Sequence, residues 1–171
     1  MPNPLDPATL FRILDEHEVH YVLIGGLAAN LHGSPVVTND ADITPRRDTE
    51  NLERLAEALK DLGARIRTAS EPDGLPFSAD AGFLERMKMV NLTTVAGDFD
   101  LTFEPAAFPG YETLLARSVR MNLFGIDVQV AALRDIIASK AAADRPKDRR
   151  ALPDLYALED EIAALERERR E

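Results

Sequence analysis

Residues 97–103, GDFDLTF, alternate between large apolar side chains and small or polar ones without a break. A period of two belongs to a strand with one face in a core and the other open. Phe99, Leu101 and Phe103 would face inward, and Asp98, Asp100 and Thr102 outward. Residues 40–44, DADIT, repeat the arrangement, with Asp40 and Asp42 on one face and Ala41 and Ile43 on the other. Aspartate is depleted in strands, so its double use in two short stretches needs a reason. Either pair alone is consistent with a solvated sheet edge or loop. If the two strands are neighbours, three or four carboxylates converge on one open face.

The rest of the chain supplies strands mixed with helices. DPATLFRILDEHE (6–18) has Leu10, Phe11 and Leu14 at helical spacing, with Pro7 suited to a first turn. VHYVLIGG (19–26) is a short apolar run ending in paired glycines, which reads as a buried strand and a tight turn. LAANLH then reads as a short helix closed by Gly33 and Pro35. DTENLERLAEALKDLG (48–63) is the clearest helix: Asp48 can cap it, Leu52, Leu55, Leu59 and Leu62 line one face, and Gly63 ends it.

Further on, ARIRT reads as a strand and EPDGLP as a turn-rich loop. Residues 86–103 read as two strands turning near Ala96-Gly97, YETLLARS as a short helix, and residues 119–131 as a hairpin across Phe124-Gly125. Residues 132–144 are helical, and a last helix is expected from about Leu152, with Leu155, Leu158, Ile162 and Leu165 on one face. The order predicts an α+β fold, an α/β sandwich with a mixed sheet and flanking helices. Residues 1–130 would form the core, and 131–171 a helical segment packed on it, within a single domain.

Elementary exclusions narrow the chemistry. The chain of 171 residues has no cysteine, so disulfides, thiolate metal sites and a cysteine nucleophile are ruled out. His17, His20 and His32 have no zinc-site spacing, and His32 reads as a packed or capping residue. A metal would therefore rest on oxygen ligands, which favours Mg²⁺ or Mn²⁺. No apolar run is long enough to span a bilayer and no signal peptide opens the chain, so a cytoplasmic location is expected. A net charge of −10 argues against a chain that coats nucleic acid. Its one dense basic stretch is Lys140, Arg145, Lys147, Arg149 and Arg150.

Without a cation, clustered carboxylates repel one another and raise their own proton affinity. With Mg²⁺ they can support in-line phosphoryl displacement. The turn IGGLAANLHG adds a second element, since glycines let backbone N–H groups approach an anion and a helix N-terminus favours negative charge. A paired glycine after a strand is equally consistent with a plain tight turn, and no Walker lysine follows it.

YVLIGGLAANLHG…TNDADI followed by ENLERLAEALKDLGARIR resembles the DNA polymerase beta-like nucleotidyltransferase superfamily, in its minimal bacterial branch with the AbiEii-like toxins. The resemblance covers roughly residues 19–104, and 131–150 more loosely. It implies that Gly25 and Gly26 line the triphosphate of an NTP. It also implies that Asp40 and Asp42 hold the metal, and that Asp100, with Asp98 as competitor, is the third carboxylate. SKAAADRPKD is similar to a segment recurrent in this branch, which implies Lys140 on the nucleotide phosphates and Lys147, with Arg149, on the acceptor or nucleotide.

The implied reaction moves a nucleoside monophosphate to an acceptor hydroxyl on an RNA or tRNA end, a protein or a small molecule. Two departures stand out. Gly26 occupies a position where serine is common, and Val36-Val37 fill a stretch where many relatives carry arginine, with Arg46 and Arg47 nearby as substitutes. These departures suit an alternative, a degenerate fold used for binding or regulation. A toxin–antitoxin component that docks a protein partner through its C-terminal helix is the further alternative.

Overall fold

Both acid-bearing stretches lie in one seven-stranded mixed sheet of the computed structural model, which describes residues 2–171. The chain runs α1 (Pro7–Glu16), β1 (Tyr21–Ile24), α2 (Gly25–His32), β2 (Asp40–Pro45), α3 (Thr49–Asp61), β3 (Arg65–Ile66) and α4 (Ala81–Glu85). It continues through β4 (Met89–Thr94), β5 (Gly97–Thr102), α5 (Tyr111–Leu115), β6 (Val119–Leu123), β7 (Ile126–Val130), α6 (Leu133–Ala143) and α7 (Pro146–Glu168). Strand order is β3-β4-β5-β2-β1-β7-β6. The contacts β1–β7 and β2–β5 are parallel and the remaining pairs antiparallel. The α+β class expected from the strand and helix order is the fold observed.

The alternation in DADIT and GDFDLTF does what its period requires. Ala41, Ile43, Phe99, Leu101 and Phe103 are buried, while Asp40, Asp42, Asp98 and Asp100 keep partial access to solvent. Their apolar face packs under Leu52, Leu55 and Leu59 of α3 and Leu10, Phe11 and Leu14 of α1, in one continuous core. Asp48 caps α3 by accepting from the Asn51 N–H at 3.0 Å, and Asp6 caps α1 by accepting from Thr9 N–H at 3.1 Å. Each cap removes one of the unpaired donors of a helix start. Among the described residues no helix is long and apolar enough to cross a membrane.

Two boundaries differ from the sequence reading. The glycines do not form a loop ahead of α2 but its first turn, because Gly25 enters the helix directly from β1 at φ +72°. The last helix begins at Pro146, not near Leu152, so RPKD is a helix start and not a linker. Pro146 suits a first helical turn, and Asp148 accepts from the Arg145 N–H at 3.2 Å and from Arg145 Nε at 2.6 Å. Pro153, inside α7, leaves one carbonyl without its helical donor but does not end the helix. Leu155 of α7 is buried, and Leu152, Leu158 and Ile162 pack on the core, whereas Leu165 is exposed.

Candidate active site

Strand register brings the carboxylates together. β2 and β5 pair in parallel with Asp40 opposite Asp98 and Asp42 opposite Asp100. Asp42 also faces Ile24, the last residue of β1, so α2 begins directly beside it. Carboxylate oxygens of Asp40, Asp42 and Asp100 lie within 4.8 Å of one another. Asp98 stays outside this cluster. Its Oδ2 is 3.4 Å from Arg67 Nε, and its buried Oδ1 has no hydrogen-bond partner among the described residues.

The electrostatics of the cluster follow from burial and crowding. Burial, then repulsion from Asp40 and Asp100, pushes the Asp42 carboxyl up to about 7, against the pull of Lys147 and Lys140. Burial likewise raises Asp100, opposed chiefly by Arg67, whose Nη2 donates to Asp100 Oδ1 at 2.7 Å. Three hard oxygen donors crowded together have the composition that Mg²⁺ or Mn²⁺ requires. The donor set therefore fits a divalent ion.

Gly25 is shaped by this neighbour. A Cβ there would lie 2.4 Å from Asp42 Oδ2, and the φ of +72° already disfavours any other residue. A Cβ on Gly26 would lie 3.0 Å from Thr38 Oγ1, so the position of the expected serine is crowded by Thr38. Thr38 in turn donates to Asp40 Oδ1 at 3.0 Å. Among the described residues no side chain caps α2, so its first N–H groups keep their donors free of side-chain acceptors.

A cavity of about 770 Å³ opens over the cluster, and Gly25, Gly26, Lys140 and Lys147 line it with the three acids. Lys140 comes from α6 and lies 3.6 Å from Asp148, a carboxylate fully buried at the start of α7. Burial opposes that charge, but Arg145 and Lys140 hold the Asp148 carboxyl below its usual range. Lys147, among the described residues, has no carboxylate within ion-pair distance. Arg149 instead pairs with Asp144 at 3.4 Å, at the surface.

The arginine substitutes proposed from sequence do not reach the site. Arg46 pairs with Asp48 at 2.9 Å, and Arg47 pairs with Glu104 at 3.2 Å while stacking over Phe103. Val36 and Val37 line the cavity mouth, uncharged and exposed. His32 Nε2 donates to the Ala131 carbonyl, 2.8 Å away, and so ties α2 to the end of β7. Sequence reasoning missed Arg67, whose only signal was its place at the end of the ARIRT stretch, next to no recognisable motif.

Solved structures share this fold at low identity. The lincosamide antibiotic adenylyltransferase LnuA, with lincomycin bound, matches with a TM-score of 0.56 at 17% identity, covering 91% of this chain and 99% of that one. ANT(2″)-Ia in complex with adenylyl-2″-tobramycin matches with a TM-score of 0.53 at 18% identity, covering 96% and 99%. An antigenic nucleotidyltransferase-like protein from Paracoccidioides brasiliensis matches with a TM-score of 0.56 at 18% identity, covering 92% and 78%. Curated protein sequences give no significant match. The family model for the nucleotidyl transferase AbiEii toxin, of type IV toxin–antitoxin systems, matches residues 8–169, nearly the whole chain, and the chain belongs to that family of nucleotidyltransferases.

Proposed function

We propose that this enzyme transfers a nucleoside monophosphate from an NTP to an acceptor hydroxyl and releases pyrophosphate, with Asp40, Asp42 and Asp100 as the metal-holding and catalytic residues. The observation that carries the reading is the approach of these three carboxylates within 4.8 Å beside the start of α2. Mg²⁺ or Mn²⁺ on that cluster would lower the proton affinity of the attacking hydroxyl and draw charge from the leaving pyrophosphate. Gly25 and Gly26 offer backbone N–H groups to the phosphates from the helix start. Lys147, which has no ion pair among the described residues, and Lys140, held by Asp148, supply positive charge on the same side.

Asp100 sits on the side of the cluster away from Gly25, next to β4, which supports its assignment as the carboxylate on the acceptor side. It is the carboxylate proposed to take the proton of the attacking hydroxyl. The covalent change is a single displacement: the acceptor oxygen bonds to the α-phosphorus as the bond to pyrophosphate breaks. The cavity has the size of a site for a small organic ligand. The antibiotics named with the two adenylyltransferase-type neighbours support a small hydroxylated acceptor as one class to test. An RNA or tRNA end is the other, with the 140–150 stretch as its cationic border. A protein partner on the C-terminal helix α7 would regulate the enzyme and not complete its site.

The test is incubation with each labelled NTP and Mg²⁺, separately with total RNA and with a panel of hydroxylated small molecules. Asp40→Ala and Asp42→Ala serve as controls. Label that moves to an acceptor in the wild type and in neither variant is the expected result. Label that never transfers, with nucleotide still bound, would favour a binding or regulatory role instead.

A further inference from the structure

We infer that Arg67 is a positioning residue for the acid cluster: it grips Asp100 from the side opposite Asp42 and so presents the free oxygen of Asp100 to the ion. The inference rests on the nucleotidyl-transfer reading above and extends it to a residue outside the motif. Arg67 leaves the two-residue strand β3 at the edge of the sheet, yet its backbone N–H still donates to the Asn91 carbonyl at 2.9 Å. Asn91 is the register partner of Asp100, and Asp100 is the register partner of Asp42. Arg67, Asn91, Asp100 and Asp42 therefore form one row across four neighbouring segments.

Along that row the Arg67 side chain folds over the acid-bearing face. Nη2 donates to Asp100 Oδ1 at 2.7 Å, while Nε lies 3.4 Å from Asp98 Oδ2 and donates to the Leu92 carbonyl at 3.4 Å. The second bond to Asp100, from the Leu92 N–H at 3.4 Å, falls on the same Oδ1. Both protein bonds thus fall on Oδ1, and neither takes Oδ2. Sheet order makes the grip directional, because Arg67 arrives from β3 and β4 while Asp42 lies across β5 on β2. The guanidinium spans Asp98 and Asp100 at once, which a point charge cannot do. This also accounts for Asp98 remaining outside the cluster: its charge is committed to Arg67.

The experiment is Mn²⁺ binding to the full chain without nucleotide, followed by electron paramagnetic resonance, with thermal unfolding recorded for every variant. Asp100→Asn weakens binding by removing a ligand. Arg67→Met is expected to weaken it about tenfold, and Arg67→Lys at least threefold because the charge stays but the bridge is lost. Arg67→Met added to Asp100→Asn is expected to cost nothing more, since Arg67 acts through Asp100. In turnover with NTP, Arg67→Lys lowers kcat and leaves the KM for NTP within about twofold.

Arg67→Met or Arg67→Lys that binds Mn²⁺ as tightly as the wild type overturns the inference. So does a further loss in the double variant equal to the loss in the wild-type background. Arg67→Met that unfolds leaves the decision with Arg67→Lys, which keeps charge and stem. Wild type whose Mn²⁺ binding depends on Asp42 but not on Arg67 overturns this inference alone. Wild type that binds no Mn²⁺ overturns the reading of the site, and the inference with it.

Discussion

Replacing Asp42 by asparagine should make the metal-free protein more stable and the enzyme inactive. The Asp42 carboxyl stands at about 7, against an ordinary 3.8, because it is buried beside Asp40 and Asp100. An acid with a raised folded-state pKa favours folding most fully at low pH, and that benefit is lost as pH rises through the folded value. The window is therefore about pH 4 to 7. At about 1.4 kcal/mol per tenfold change in proton affinity, the full difference is about 4 kcal/mol. Polar relaxation around a partly solvated group lowers this to about 2 kcal/mol. For a chain of this length that is about 4–8 °C in Tm.

The assay is thermal unfolding of wild type and Asp42→Asn in chelator between pH 4 and 8. The two should coincide near pH 4, and the variant should gain steadily until about pH 7. Mg²⁺ should then raise the Tm of the wild type at pH 8 and leave the variant nearly unmoved, since binding to the folded state alone stabilises it. A variant less stable than wild type at pH 8 in chelator would refute the argument. So would a difference between them that is constant across the pH range.

Three further outcomes test other parts of the site. Gly25→Ala forces a side chain into a left-handed conformation costing about 1–2 kcal/mol and sets its Cβ against Asp42; urea unfolding should show that loss, and calorimetry should show Mg²⁺ binding abolished. Lys147→Ala removes a cation that makes no ion pair among the described residues, so the KM for NTP should rise about tenfold while stability stays within about 0.5 kcal/mol. Asp148→Ala strips the cap of α7 and the buried partner of Lys140 and Arg145. It should cost about 2–4 kcal/mol in denaturant unfolding and should lower NTP affinity as Lys140 loses its anchor.

Local pattern made much of the molecule legible. The alternation in GDFDLTF and DADIT is a property of five to seven consecutive residues, and a strand with one buried face is its only comfortable home. The leucine stripe of 48–63 and the cap at Asp48 are likewise local, and α3 formed as read. The start of α7 escaped because RPKD is ambiguous by composition. Proline and charge suit a linker as well as a first turn, and the decision came from Asp148 reaching back to Arg145. Arg67 escaped for a different reason: no spacing links it to Asp100, thirty-three residues away, until β4 lies between them.

By itself, then, the sequence singled out the acids proposed to carry the chemistry, because side-chain type and strand period are written locally. It settled that Asp40 and Asp42 share a face and that Asp98 and Asp100 share another. Only the tertiary structure decided that the two faces are one. The parallel register of β2 with β5 sets Asp42 against Asp100, brings Gly25 under Asp42, and leaves Asp98 to Arg67. Register between strands depends on packing across the whole sheet and not on either strand alone. A slip of one residue would have turned the same acids into the core.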